Sequence, residues 1–166
     1  LSAVQFADNQ LPCKIHDIIS KAGLPARNLN FEVTESTTME SPARTVELMN
    51  VLTKQQLTLS IDDFGTGSSS LAYLKQFPLS TLKIDRSFVK DIQINRDDTD
   101  ICDFTVLLAH KLGLDVVAEG VETEEQFNYF ASIGCEKVQG YLICKPLPAN
   151  TVEEFIRNNP LIKGVF

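Results

Sequence analysis

Apolar and polar positions along this chain follow two rhythms, and the switches between them mark its elements. Residues 29–33, 57–61, 81–84, 116–118 and 137–142 are short runs rich in Val, Ile and Leu. That composition suits strands buried on both faces. Between these runs the apolar spacing widens to three and four residues. Ile15, Ile18, Ile19 and Ala22 share one face of a helix over 11–22, stopped by Gly23 and Pro25. Val46, Leu48, Met49 and Leu52 line a second helix that opens on Pro42, after Ser41 as its cap. Residues 69–76 read as a short helix closed by Pro78, following a lead of serines able to cap it.

A long helix follows Asp97, Asp98 and Asp100 and runs to Leu112, with Gly113 as its stop. Acids at its start suit the positive end of a helix dipole. Thr123 caps a helix over 124–133 that turns Phe127 and Phe130 inward, and residues 152–158 form a last helix. Residues 1–6 are a short lead-in. Strand and helix thus alternate five times, which demands parallel strands and right-handed crossovers. The fold class is α/β, and the natural architecture is a (β/α) barrel. Such barrels run to about 250 residues. The 166 residues here, with five strands, predict an incomplete barrel within one domain.

The run at 57–61 ends on two adjacent acids, Asp62 and Asp63, followed by a glycine turn. In a parallel sheet the strand ends share one rim, where α/β proteins place their chemistry. Glu32, Asp62, Asp63, Lys83, Glu119 and Gln139 would converge there. Four carboxylates on one rim repel, so at least one holds a proton or a cation relieves them. All-oxygen ligation suits Mg²⁺ or Mn²⁺, and two neighbouring acids splayed at a strand end can hold cations about 3.5–4 Å apart. No Cys/His spacing suggests zinc, and His16 and His110 fall on helices.

Composition narrows the classes further. The net charge of −7 argues against a DNA or RNA polymer as partner. A small phosphorylated ligand reached through cations remains compatible with it. Cys13, Cys102, Cys135 and Cys144 form no CxxC pair, so idle thiols in a reducing cytoplasm are expected. No apolar run approaches the roughly 18 residues of a membrane helix. The glycines after Asp63 are not a phosphate-binding Walker loop. Three reaction classes fit an acidic rim with one lysine: a two-cation phosphodiesterase, an enolase-like enzyme with Lys83 as base, and a Schiff-base aldolase with Lys83 as nucleophile.

Read together, FEVTES, IDDFGTGSSSLAYL, LKIDRSFV, VVAEGVET and VQGYLICKPLP resemble the EAL-domain cyclic di-GMP phosphodiesterases, in the family's order and over nearly the whole chain. The resemblance implies a modified (β/α)8 barrel that hydrolyses one phosphodiester of cyclic di-GMP to linear pGpG with Mg²⁺ or Mn²⁺. It implies Glu32, Asp62 and Asp63 as metal ligands, with Asp62 bridging. Lys83 would hold the attacking water or a phosphate oxygen, Glu119 would be an acid–base or metal-organising carboxylate, and Gln139 would orient the water. Glu122 and Tyr141 resemble guanine-side contacts. Glu35 matches the residue that anchors the loop at 65–70.

The resemblance further implies a homodimer through that loop and the helix near 97–112. It also implies an upstream sensor or GGDEF-like domain, and a cytoplasmic site for a parent that other segments can anchor to a membrane. The strand bearing the family's E-x-L motif does not occur here, and the family's Asn ligand would sit one residue before Leu1. Residues 1–166 are therefore expected to be the C-terminal two thirds of one such domain, itself impaired in catalysis. The alternative is a degenerate module that binds cyclic di-GMP or a protein without hydrolysis.

Overall fold

The computed structural model describes residues 1–67, 70–92 and 94–158. Five strands, β1 (Asn30–Thr34), β2 (Thr58–Phe64), β3 (Thr81–Ile84), β4 (Asp115–Glu119) and β5 (Lys137–Gln139), form one parallel sheet in sequence order. The helices are α1 (Ala3–Phe6), α2 (Leu11–Ala22), α3 (Glu35–Glu40), α4 (Pro42–Lys54), α5 (Leu71–Leu74), α6 (Arg86–Lys90), α7 (Arg96–Leu112), α8 (Glu124–Ser132) and α9 (Ala149–Asn158). Consecutive parallel neighbours with helices between them are one arc of a (β/α) barrel.

Local sequence explains the long helices. Gly23 and Gly113, at φ +65° and +73°, end α2 and α7 in the left-handed conformation that glycine reaches without strain. Asn95 caps α7 by accepting from the Asp97 amide. Thr123 and Gln126 form a capping box on α8. The elements missed from the sequence are the short ones. Of these, α1 carries a readable Ser2–Gln5 capping box, and α6 has Asp85 as its cap.

Several expected boundaries move. Strand β2 runs through Asp62 and Asp63 instead of stopping before them. Helix α5 is confined to Leu71–Leu74 and its cap Ser70 makes no side-chain cap hydrogen bond; Ser69, where it was expected to begin, lies outside the described residues. Strand β5 ends at Gln139, because the Ile143 and Cys144 amides bond back to the Gly140 carbonyl and turn the chain. Tyr141 therefore stands in a turn. Phe127 is 39% exposed; Gln126, Tyr129 and Phe130 make the buried face of α8.

The sheet also departs from the expectation that both faces are apolar. Val33, Leu59, Ile61, Leu82, Ile84, Val116 and Ala118 are fully buried and belong to one core with Met49, Leu52, Val106 and Phe130 of the helices. The opposite, concave face carries Asn30, Glu32, Ser60, Thr81, Lys83 and Gln139 around a cavity of about 360 Å³. Strands this short show only two or three residues per face, so the period-two alternation is hard to see in the sequence.

All four cysteines are free thiols; Cys102 is buried and Cys13 exposed. Burial, reinforced by Asp98 and Asp103, pushes the Cys102 thiol up to about 12. A chromogenic disulfide reagent is expected to label Cys13 at once and Cys102 only on unfolding. Raising the pH to 9 will not release Cys102, since its thiol stays protonated there. Rapid native-state labelling of Cys102, mapped by mass spectrometry, would contradict this packing.

Candidate active site

The register of the sheet assembles the site. Glu32 on β1 pairs with Ser60 on β2, Lys83 on β3 with Val117 on β4, and Glu119 on β4 with Gln139 on β5. Side chains two apart on a strand share a face. Glu32, Lys83 and Gln139 accordingly line the concave cavity. Lys83 Nζ lies 2.7 Å from Glu32 Oε1, 2.7 Å from Glu119 Oε1 and 3.1 Å from Asp62 Oδ1. The lysine side chain is 6% exposed, so these contacts act with little screening by water.

Adjacent residues of a regular strand point to opposite faces, which would separate Asp62 from Asp63. The pairing of β2 with β3 shifts register between Ile61 and Phe64, and Asp63 takes φ +56°. That irregularity turns both carboxylates to one rim, where oxygens of Asp62, Asp63 and Glu119 lie within 4.8 Å of one another. Positive φ in a non-glycine residue is strained, and Asp tolerates it better than most.

The charges do not balance. Burial, then the Asp62 and Asp85 carboxylates, raise the pKa of Asp63. Burial also raises Glu119, despite Lys83 beside it. Burial alone would lower Lys83, but Glu119, Glu32 and Asp62 outweigh it and the ammonium is held well above its usual range. One ammonium among this many acids leaves the rim short of positive charge. Asp62 Oδ1 shows the same deficit: buried, it lies 3.1 Å from Lys83 Nζ, yet no hydrogen bond of good geometry reaches it. A cluster of hard oxygen donors sharing one ammonium fits a divalent cation such as Mg²⁺ or Mn²⁺.

Glu35 sits at the start of α3 and is 1% exposed. Its Oε2 accepts from the amides of Gly65 (2.8 Å) and Gly67 (3.4 Å), which fastens the start of the loop after Asp63. A Cβ on Gly67 would stand 2.8 Å from Glu35 Oε1, so a larger residue there would push this carboxylate aside. Glu122 is paired with Arg86. Tyr141 is 53% exposed, with Lys145 Nζ 5.6 Å from its ring centre.

Sequence reading gave no role to three residues near the rim. Asp85, inside KIDR, caps α6 by accepting from the Ser87 amide and hydroxyl and acts electrostatically on Asp63. Although burial works to raise its pKa, those hydrogen bonds hold it down. Arg86 reaches Glu122, and Gln126 binds the Glu122 amide. An Asp just before a short helix was the available signal for Asp85. The Thr123-x-x-Gln126 capping-box spacing was the signal for Gln126, whereas nothing local announces Arg86, whose partner is 36 residues away.

Comparison with known proteins agrees with this fold. The family model described as the EAL domain matches residues 1–146. The cyclic di-GMP phosphodiesterase NbdA of Pseudomonas aeruginosa is 46% identical over 144 residues, 87% of this chain and 18% of NbdA. The PaMucR phosphodiesterase of the same organism, solved as a c-di-GMP complex, superposes with TM-score 0.89 at 41% identity, covering 92% of this chain and 62% of that one. Klebsiella pneumoniae BlrP1, solved as a manganese/cy-diGMP complex, gives TM-score 0.78 at 32% identity, covering 86% and 36%. The chain spans about a fifth of the length of the curated relatives it matches, 18% to 22% for NbdA and MucR. A parallel arc of βα units, an acidic rim closed on one lysine and a match over 146 residues have one meaning: this chain belongs to the EAL domain family.

Proposed function

We propose that the domain containing this chain hydrolyses one phosphodiester bond of cyclic di-GMP to linear pGpG, using Mg²⁺ or Mn²⁺. The observation that carries the reading is the meeting of Glu32, Asp62 and Glu119 on Lys83, beside an Asp63 turned into the same rim. Relatives and neighbours named as cyclic di-GMP phosphodiesterases or their nucleotide complexes support the substrate. Neither a Schiff-base nor an enolase-like reading draws such support.

In this reading Asp62 and Asp63, with Glu32 at the margin, would hold the cations, and Glu119 beside them is left for proton transfer. When bound, those cations supply Lewis acidity and generate a water-derived nucleophile near neutral pH. The remaining work falls to the chain itself. The Lys83 ammonium, oriented by three carboxylates, donates to a phosphoryl oxygen and meets the charge that grows there. The Gln139 amide, opposite Glu119 in the register, aligns the water in line with the departing ribose oxygen. Glu119, whose pKa burial raises, takes the water's proton, and the ribose oxygen takes one from solvent as its P–O bond breaks. Glu35 keeps the 65–67 segment over the rim, a positioning role.

The same proposal takes residues 1–166 as the C-terminal two thirds of one EAL domain in a larger, cytoplasmic signalling protein. MucR, named as both diguanylate cyclase and phosphodiesterase, supports a GGDEF-like neighbour. Exposed Phe104 and Leu107 on α7 are compatible with a homodimer through that helix. Among the described residues no helix is long and apolar enough to cross a membrane.

The direct test incubates the full-length parent with cyclic di-GMP and Mn²⁺ and follows pGpG by chromatography. Turnover is expected, EDTA should abolish it, and Asp63→Asn should lower kcat by about 10²-fold or more. Calorimetric binding without any product would instead favour the non-catalytic module. Lys83→Met should tighten Mn²⁺ binding about tenfold by removing a competing charge, while suppressing turnover. Weaker Mn²⁺ binding by that variant would contradict the charge argument. Gly67→Ala should lower kcat about tenfold through loss of the Glu35 contact, with Mn²⁺ affinity nearly retained, readable by the same titration.

A further inference from the structure

Gln139 faces Glu119 across β4 and β5, yet among the described residues no hydrogen bond holds its side-chain amide. The direction of that side chain is therefore set by its own backbone. Past the paired residues, this backbone is fastened to the continuation of β4. The Val121 amide donates to the Gln139 carbonyl at 3.1 Å, and the Leu142 amide donates to the Val121 carbonyl at 3.0 Å. Val121 thus grips the chain on both sides of Gly140.

The grip leaves no room for a side chain. A Cβ on Gly140 would lie 2.0 Å from the Val121 carbonyl oxygen and 2.4 Å from its nitrogen. Ordinary contacts sit at roughly 3.5 Å. Gly140 is not among the glycines with positive φ, so close backbone approach, and not conformational freedom, is what demands glycine. The atoms a methyl group would strike are backbone, which cannot rotate aside as a long side chain can. Val121 is fully buried in the core, whereas β5 pairs with β4 alone among the described residues. An added methyl group therefore displaces residues 139–142 and leaves β4 in place. The Gly140 carbonyl also accepts from the Ile143 and Cys144 amides, so the displacement carries into the turn.

We propose that Gly140 is a positioning residue for the hydrolysis: it lets Gln139 dock on β4 level with Glu119, so that the Gln139 amide meets the attacking water. The register sets Gln139 opposite Glu119, and Val121, two residues beyond Glu119, supplies the clasp. Gln139 lines the concave cavity with a long side chain open to many rotamers, and a fixed backbone narrows that choice. Alignment of a water with a leaving oxygen tolerates little error. A misplacement of about 1 Å costs on the order of 10²-fold. This rests on the cyclic di-GMP reading, in which Gln139 already orients the water; what is added is the residue that places Gln139.

The test uses the full-length parent with Mn²⁺ and cyclic di-GMP, and compares Gly140→Ala, Gln139→Ala and the double variant. Gly140→Ala is expected to lower kcat about 10²-fold, as Gln139→Ala does, with KM and Mn²⁺ affinity within about twofold of wild type. In the Gln139→Ala background the same substitution should cost less than about threefold, because the group it acts through is already gone. Losses that multiply in the double variant, a raised KM with kcat unchanged, or a Gly140→Ala enzyme as fast as wild type would each overturn the proposal. So would a Gln139→Ala enzyme with full kcat. Should Gly140→Ala fail to fold, amide hydrogen exchange of the wild type decides. Protection of Val121 and Leu142 equal to that of β4 supports the clasp, and exchange at the rate of exposed loops overturns it. Absence of turnover in the wild type would sink the hydrolytic reading and this role together, whereas the variant outcomes leave hydrolysis itself standing.

Discussion

One ammonium group held among three carboxylates is the constraint on which the rim depends. Lys83 Nζ touches Glu32, Asp62 and Glu119, contributed by three other strands. Burying charges is costly unless they compensate one another, and removing one member of a buried set leaves the others unpaired. The lysine therefore ties the top of β1, β2, β3 and β4 together. It does not relieve them fully: burial first, and then neighbouring carboxylates, raise the pKa of Glu119 and of Asp63. Bound cations would relieve a rim of this kind.

Backbone irregularity does the second part of the work. A regular β2 would send Asp62 and Asp63 to opposite faces. The register shift and the positive φ at Asp63 bring them together, and the strain is contained by the neighbours that hold the segment. Glu35, buried beneath the loop, binds the Gly65 and Gly67 amides just downstream. Acidic rim and the start of the loop are thus joined through one buried carboxylate.

The sheet separates two tasks by face. One face is a continuous apolar core with the helices; the other is polar from Asn30 and Thr58 up to Lys83 and Gln139. Short strands permit this, because each face needs only two or three residues. The rim extends outward through Glu119, Gly120 and Glu122, where the small residue at 120 lets Arg86 cross to the carboxylate.

Much of this was written locally in the sequence. Helix starts and stops at Thr123, Gly23 and Gly113 follow from capping chemistry and left-handed glycines, and the parallel order of strands follows from their alternation with helices. The identity of the rim acids followed from strand ends sharing one side of a parallel sheet. What the sequence could not settle was whatever depended on distant partners. Tyr141 left its strand because amides after it turn back to Gly140. Phe127 lost the inner face of α8 to Gln126, whose amide bonds Val89, 37 residues earlier. The turning of Asp63 toward Asp62 depended on the pairing of β2 with β3. Capping and periodicity act within a few residues and can be read along the chain, whereas register, burial and charge pairing exist only once remote segments meet.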